Sequence, residues 1–262
     1  MSRLKVALLS AGLSPKSFGL ALHRIRSTSK FLYNFDEILT LDSENIAEYC
    51  PKIFEVYKSF LNESVPGYGY WLWKPEFIFK ALKGDFGKFD QVVWVDSGCE
   101  INPNYFSRLR FKHRIRQAQE SGCWLHALEN SENEFTKQDV KKLFPELDSK
   151  LMEAPQIQAN YMHLSSTKSY PFIEAWYEMS ISSISNFNFE ISEHEHPKFI
   201  GHRSDQSTLS LNSKKFGFTP NRINLPSGGS RQSRLRALSE PVWISRNRTG
   251  ESVIPSWIKR LP

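Results

Sequence analysis

The stretch Gly67–Asn102, GYGYWLWKPEFIFKALKGDFGKFDQVVWVDSGCEIN, constrains this chain most. It reads as a helix followed by a strand that ends on an acid. Pro75 suits the first turn of a helix, where its missing N–H costs nothing. Phe77, Ile78, Ala81 and Leu82 then recur at helical spacing, and Gly84 and Gly87 stop the pattern. Gln91–Val95 is a run of β-formers with Asp96 just past its end. Ligands of open α/β sheets bind at the carboxyl ends of strands, so Asp96 stands where chemistry is expected. The competing reading makes it a turn residue leading into Ser97-Gly98.

The rest of the chain alternates in the same way. Strands are expected at Lys5–Ser10, Phe35–Leu41, Cys123–Leu128 and, unbroken, at Pro155–Leu164. Helices are expected around His23–Thr28 and over Ile53–Leu61, Asn104–Ser121, Tyr170–Ser183 and Arg203–Lys215. Thr136-Lys137-Gln138-Asp139 resembles a capping box before a further helix. This order predicts an α/β fold with a mainly parallel central sheet flanked by helices. Residues 1–220 form the domain. Residues 221–262 form a basic tail that packs on the domain or is ordered by a ligand.

Of 262 residues, 40% are hydrophobic, enough for a sizeable core. The net charge of +6 favours an anionic partner, such as a nucleotide or an anionic membrane surface. Nucleic acid is disfavoured, because the basic residues do not interleave with aromatics as a stacking platform requires. Arg108, Arg110, Lys112, Arg114 and Arg116 read as the solvated face of a helix. Cys50, Cys99 and Cys123 give neither a disulfide framework nor paired zinc spacing, which points to reduced thiols. No apolar run approaches a membrane span, and the first residues read as a buried strand rather than a signal peptide. A cytoplasmic location is expected, peripheral on the inner face of the membrane. Arg231, Arg234, Arg236, Arg246 and Arg248 would meet lipid headgroups there.

Three groups have the residue types for chemistry. In Asp96-Ser97-Gly98-Cys99-Glu100, a strand-end carboxylate is suited to hold Mg²⁺ or Mn²⁺ against a diphosphate, and Gly98 permits close backbone approach. Gln156-Ile157-Gln158-Ala159-Asn160 offers amides for sugar hydroxyls, or only the polar face of a strand. His202-Arg203-Ser204-Asp205-Gln206-Ser207 opens a helix, where anions and oxygen-rich ligands are favoured. An ordinary N-terminal cap by Ser204 or Asp205 is the alternative.

Together these groups, with Tyr70-Trp71-Leu72-Trp73-Lys74-Pro75, resemble sugar-nucleotide glycosyltransferases of the GT-A fold. They are similar to bacterial capsule- and lipopolysaccharide-type transferases reading YWxWKP, DxGC and HRxDQS. The resemblance covers roughly residues 3–220 and implies a GT-A-like, Rossmann-like sheet. It implies transfer of a sugar from a nucleoside-diphosphate sugar to a glycan or lipid-linked acceptor. Asp96 matches the first acid of the DxD motif and, through it, a Mn²⁺ or Mg²⁺ ligand. Gly98 stands where the second acid would be, with Glu100 two residues on as a substitute. Lys74, Gly98, Gln158, Ala159, His202 and Arg203 fall at donor-binding positions. Asp205 and Gln206 match the Asp-Gln pair beneath the anomeric carbon of retaining enzymes, although Ser207 replaces the acid that often follows. Gly98 also favours a second reading, a non-catalytic nucleotide- or carbohydrate-binding domain with a degenerate DxD site.

Overall fold

The computed structural model describes residues 3–191, 194–221 and 238–260, without the side chains of Pro15, Lys16, Ser17 and Trp257. Val6–Ala11 and Gln91–Val95 are apolar or shielded at every position and buried on both faces, as inner strands of an α/β sheet must be. They pair in parallel, Val6 with Gln91 and Leu9 with Trp94. The five-stranded sheet runs Glu37–Leu41, Val6–Ala11, Gln91–Val95, Tyr161–Ser165, Cys123–Trp124. Tyr161–Ser165 is antiparallel to both of its neighbours, so the other four strands share one direction.

Alternation along the strands sorts side chains onto two faces. Leu9, Val92, Trp94, Met162 and Leu164 join Phe77, Ile78, Phe172, Ile173 and Trp176 of helices Trp73–Lys83 and Tyr170–Ser182. Val6, Leu8, Val93, Val95 and Tyr161 join Ile25, Leu32, Phe111, Ile115 and Ala118 of helices Pro15–Leu32 and Tyr105–Ser121. The result is three layers, helices on each side of one sheet. Each fully buried Phe or Ile contributes about 1.5–3 kcal/mol. The Glu76 carboxylate, also buried, accepts from the N–H groups of Lys52 (3.0 Å) and Ile53 (2.8 Å). It thereby satisfies the orphan donors that open helix Pro51–Tyr57.

The topology brings three chain segments to one edge. Parallel pairing sets the ends of Val6–Ala11 and Gln91–Val95 side by side. Val95 pairs with Tyr161, the first residue of the reversed strand, so residues 158–160 enter at that same edge.

Several expectations need correction. Pro155–Leu164 is not one strand: it stops at Ile157 and resumes at Tyr161, because the Gln158 N–H turns to the His126 carbonyl. Cys123–Leu128 is likewise split, and Ala127–Ser131 pairs with Pro155–Ile157 in a separate ribbon. Ile53–Leu61 is helix Pro51–Tyr57 followed by a 3₁₀ turn, Lys58–Phe60. The capping box belongs to Ser131 and Glu134, five residues before the expected one. Arg114 is not solvated: it is buried, stacks 3.9 Å over the Trp124 ring and pairs at 2.5 Å with buried Glu240, which also meets Arg110.

Glu240 belongs to residues 238–260, which are built onto the domain. Val242–Trp243 pairs with Glu100–Ile101. Arg24 donates to the carbonyls of Ser97 (3.3 Å), Cys99 (3.2 Å) and Asn247 (2.9 Å), joining the strand-end turn to this segment. Among the described residues no helix is long and apolar enough to cross a membrane. Arg231, Arg234 and Arg236 lie outside the described residues.

Removing one partner of a buried ion pair leaves an uncompensated charge, at a cost of about 3–5 kcal/mol. Glu240→Ala is therefore expected to lower unfolding free energy in urea by about that amount. A loss below about 1 kcal/mol would contradict the role given to this pair.

Candidate active site

An open cleft of about 770 Å³ lies at this edge. Lys74, Asp96, Gly98, Gln158, Ala159, His202, Arg203, Asp205 and Gln206, all singled out from the sequence, line it. At its floor the Lys74 ammonium, 2% exposed, sits between two acids. It donates to Asp205 Oδ2 at 2.6 Å, lies 3.1 Å from Asp96 Oδ1, and is 3.4 Å from the Ala159 carbonyl. The Trp94 indole N–H donates to the same Asp96 oxygen at 2.7 Å. Asp96 is thus more than a turn residue, although its carbonyl does accept the Cys99 N–H at 2.9 Å.

One ammonium cannot fully serve two carboxylates. Burial works against the charged Lys74, but the Asp205 and Asp96 charges outweigh it and hold its pKa above the ordinary value. Burial pushes the Asp205 carboxyl up to about 6; Lys74 opposes this and the Asp96 charge adds to it. Asp205 is not the N-cap of Ser204–Lys215: Arg203 holds that position and its side chain makes no cap bond.

Gln206 is held through a chain of donors whose direction is forced. Lys214 donates to buried Glu132 at 2.7 Å. A carboxylate only accepts, so Gln156 turns its amide NH₂ to Glu132 Oε2 at 3.1 Å. The Gln156 carbonyl then faces Gln206 Nε2 (2.6 Å) and Arg203 (3.3 Å). Gln206 must donate there, and its own carbonyl oxygen has no partner among the described residues. Gln156, expected as an amide open to sugar hydroxyls, is instead buried completely at the centre of this network. Its place inside a short polar alternation was the only available signal.

The remaining residues divide. Arg203 also donates to Asn130 Oδ1 at 3.3 Å and lies 3.3 Å over the Phe135 ring, with no carboxylate partner among the described residues. His202 reaches the cleft wall with both ring nitrogens engaged: Nε2 meets the Asn186 carbonyl at 3.0 Å, and Nδ1 meets the Lys137 N–H at a long 3.5 Å. Burial, with Lys137 nearby, lowers its pKa to about 3, so it is neutral. The close approach at Gly98 comes from the chain itself. Its carbonyl accepts from the Asn247 N–H (2.8 Å) and the Ser245 hydroxyl (3.0 Å), which sets Arg246 beside the cleft.

One wall was not foreseen. Gly67, Tyr68, Gly69, Tyr70 and Trp71 all have positive φ, between 54° and 95°, forming a left-handed turn where a loop leads into helix Trp73–Lys83. Single αL residues are usual and runs are not, since each non-glycine costs roughly 1–2 kcal/mol. The glycines at 67 and 69 spare two of the five positions, leaving Tyr68, Tyr70 and Trp71 strained, and their spacing was the sequence signal. The turn is clasped by the Trp73 indole donating to the Gly67 carbonyl (3.0 Å) and by the Ser204 hydroxyl donating to the Tyr70 carbonyl (2.5 Å). Ser204 itself has φ +46°. Strained backbone of this kind concentrates at functional sites.

The donor set does not fit a protein-held divalent cation. Gly98 supplies no oxygen side chain, and Asp205 is turned to Lys74. Glu100 is corrected as a substitute ligand: its carboxylate accepts from Asn247 (2.8 Å), the Val253 N–H (3.0 Å) and the Ser252 hydroxyl, away from the cleft. Among the described residues no three His, Cys, Asp or Glu side chains cluster.

No family model matches the chain, and no curated protein matches its sequence. Among solved structures it is similar to mouse xyloside xylosyltransferase 1, at 10% identity, TM-score 0.48, covering 95% of this chain and 100% of that one. It is also similar to a glycosyltransferase involved in glycosylation of the major capsid of PBCV-1, at 11% identity, TM-score 0.46 and 91% of each chain. A third likeness is to 4-diphosphocytidyl-2C-methyl-D-erythritol synthase from Anaerococcus prevotii, at 12% identity, TM-score 0.38, covering 81% and 96%. Likenesses this distant leave the reading of the cleft to its own residues.

Burial raises the Asp205 carboxyl in the folded chain to about 6, from the ordinary aspartate value of 3.8. Between those values the native state holds the extra proton, so the stability contributed by the neutral carboxyl is lost as pH rises through about 6. From about pH 4 to 7, wild type is expected to lose on the order of 1–3 kcal/mol relative to Asp205→Asn, read by urea unfolding of both. A wild type–variant difference that stays constant across this window would contradict the placement of Asp205.

Proposed function

We propose that this chain is a glycosyltransferase that moves a sugar from a nucleoside-diphosphate sugar to a glycan or lipid-linked acceptor. The observation that carries the reading is the cluster at the cleft floor: Asp96 and Asp205 joined through Lys74, with the Gln206 carbonyl oxygen directed by Gln156. The motif resemblance to GT-A transferases, which rests on these same residues, supports the same assignment.

The chemistry follows from charge. Loss of a nucleoside diphosphate leaves negative charge on phosphate, which Lys74 and the cleft arginines are placed to stabilise. The sugar develops oxocarbenium character, for which a carboxylate or amide oxygen is the natural support. Asp205 and Gln206 supply such oxygens from the start of a nearly wholly buried helix, whose Leu209 and Leu211 anchor it in the core. Support from the face opposite the acceptor favours retention of anomeric configuration. Gln158 and Ala159 border the donor sugar. Asp96, beside the break in the strand, orients the ribose or phosphate. Arg246 and Arg248 serve the cleft in this reading, which leaves contact with an anionic membrane surface to Arg231, Arg234 and Arg236.

The second reading, a binding domain without turnover, is favoured by Gly98 and by the engagement of Glu100 elsewhere. Turnover separates the two. Thermal-shift screening of sugar nucleotides identifies the donor, since ligand binding raises apparent stability. With that donor, Asp96→Asn and Gln206→Ala are each expected to lower kcat about 10²-fold or more, with melting temperature within a few degrees of wild type. Product NMR is expected to report a retained anomer. Absence of both transfer and donor hydrolysis would establish the binding reading, and normal kcat in both variants would overturn the assigned roles.

A further inference from the structure

The cleft holds cations with no protein anion to meet them. Arg203 bonds only neutral acceptors, Gln156 and Asn130, and stacks on Phe135. Arg246 approaches from the other chain segment, in a left-handed backbone conformation (φ +51°) that the Asn247 and Ser245 bonds to Gly98 hold in place. Among the described residues neither guanidinium has a carboxylate within ion-pair distance. Burial lowers the Arg203 pKa; the Glu134 charge, beyond ion-pair distance, opposes this, and the Arg246 charge across the cleft adds to it. Cations that face one another in a cleft without a direct ion-pair partner are stabilised by an anion between them. Arg248 adds a third positive charge beside Phe18, 4.8 Å from the ring centroid.

Where the DxD resemblance implies a divalent cation, the chain offers a different solution. The nearest acid to a bound phosphate, Asp96, is already shared by the Lys74 ammonium and the Trp94 indole. The second acid of the motif is Gly98, and Glu100 is used to fasten residues 247–254. The segment that Glu100 fastens is the one that carries Arg246. The acid that would have held a metal instead holds an arginine in place.

We propose that the diphosphate of the donor is bound by the guanidinia of Arg203 and Arg246, with Lys74 behind them, and that binding needs no divalent cation. This rests on the nucleotide-sugar reading above and names how that ligand's charge is met. The residues on the C-terminal segment are then part of the binding site, not an appendage to it.

The test is calorimetric titration of the full chain with inorganic pyrophosphate and with UDP, GDP, ADP and CDP, each in EDTA and in Mn²⁺. The expected result is a nucleoside diphosphate whose Kd differs by less than about threefold between the two conditions. Arg246→Gln is expected to weaken it about tenfold in both, with Arg246→Lys intermediate because a lysine keeps charge but loses the fork. Circular dichroism confirms that each variant is folded. Binding that appears only with Mn²⁺, or is unchanged in Arg246→Gln, overturns the proposal. Arg246-dependent pyrophosphate binding in EDTA without any nucleotide binding supports the arginine clamp while removing the nucleotide reading. No binding of either class removes both.

Discussion

A lysine ammonium buried between two carboxylates is the interaction on which the rest of this structure depends. Lys74 comes from a helix behind the sheet, Asp96 from the end of a central strand, and Asp205 from the first turn of a distant helix. Lys74 and Asp205 are buried and neither charge is stable there alone, because burying an isolated ion costs several kcal/mol, while Asp96 is half-buried at the cleft. Their mutual contact therefore ties three elements together and defines the cleft floor. It also leaves one negative charge in excess: burial raises the proton affinity of Asp205, and the Asp96 charge adds to it.

Around that floor the chain commits unusual local structure. Five successive left-handed residues lead into the Lys74 helix, and a left-handed Ser204 leads the Asp205 helix. A single bond, from the Ser204 hydroxyl to the Tyr70 carbonyl, joins these two strained starts. Such conformations persist only when surrounding packing over-determines them, and here the Trp73 indole and two buried helices do so. On the opposite side, Glu100 and Arg24 bind the C-terminal segment to the strand-end turn. Both clasps serve the same end, which is to hold short polar side chains rigidly around one space.

Much of this was legible in the sequence. Strand Gln91–Val95 and the positions of Asp96 and Asp205 followed from periodicity and punctuation, because buried parallel strands and buried helices have strong apolar signatures. The joint order of the motifs placed nine residues that the fold does gather in one cleft. What periodicity could not reveal was direction and partnership. Gln156 looked like an exposed strand residue, yet a buried carboxylate 24 residues away, at Glu132, fixes which end of its amide faces Gln206. Arg114 looked solvated because its partner Glu240 lies far along the chain. Glu100 looked available for a ligand because the segment it anchors had no recognisable pattern. Each of these errors concerns a polar group whose partner is remote in sequence, and such pairing leaves no periodic trace.

The most direct measurement is a double-mutant cycle between Lys74 and Asp205, using Lys74→Met, Asp205→Asn and the double variant in urea unfolding. If the ammonium is what allows the Asp205 carboxylate to be buried, Lys74→Met alone loses about 3–5 kcal/mol and the double variant recovers a large share of it. The account predicts a coupling energy above about 2 kcal/mol. Losses that simply add, with coupling near zero, would contradict the claim that this pair organises the site.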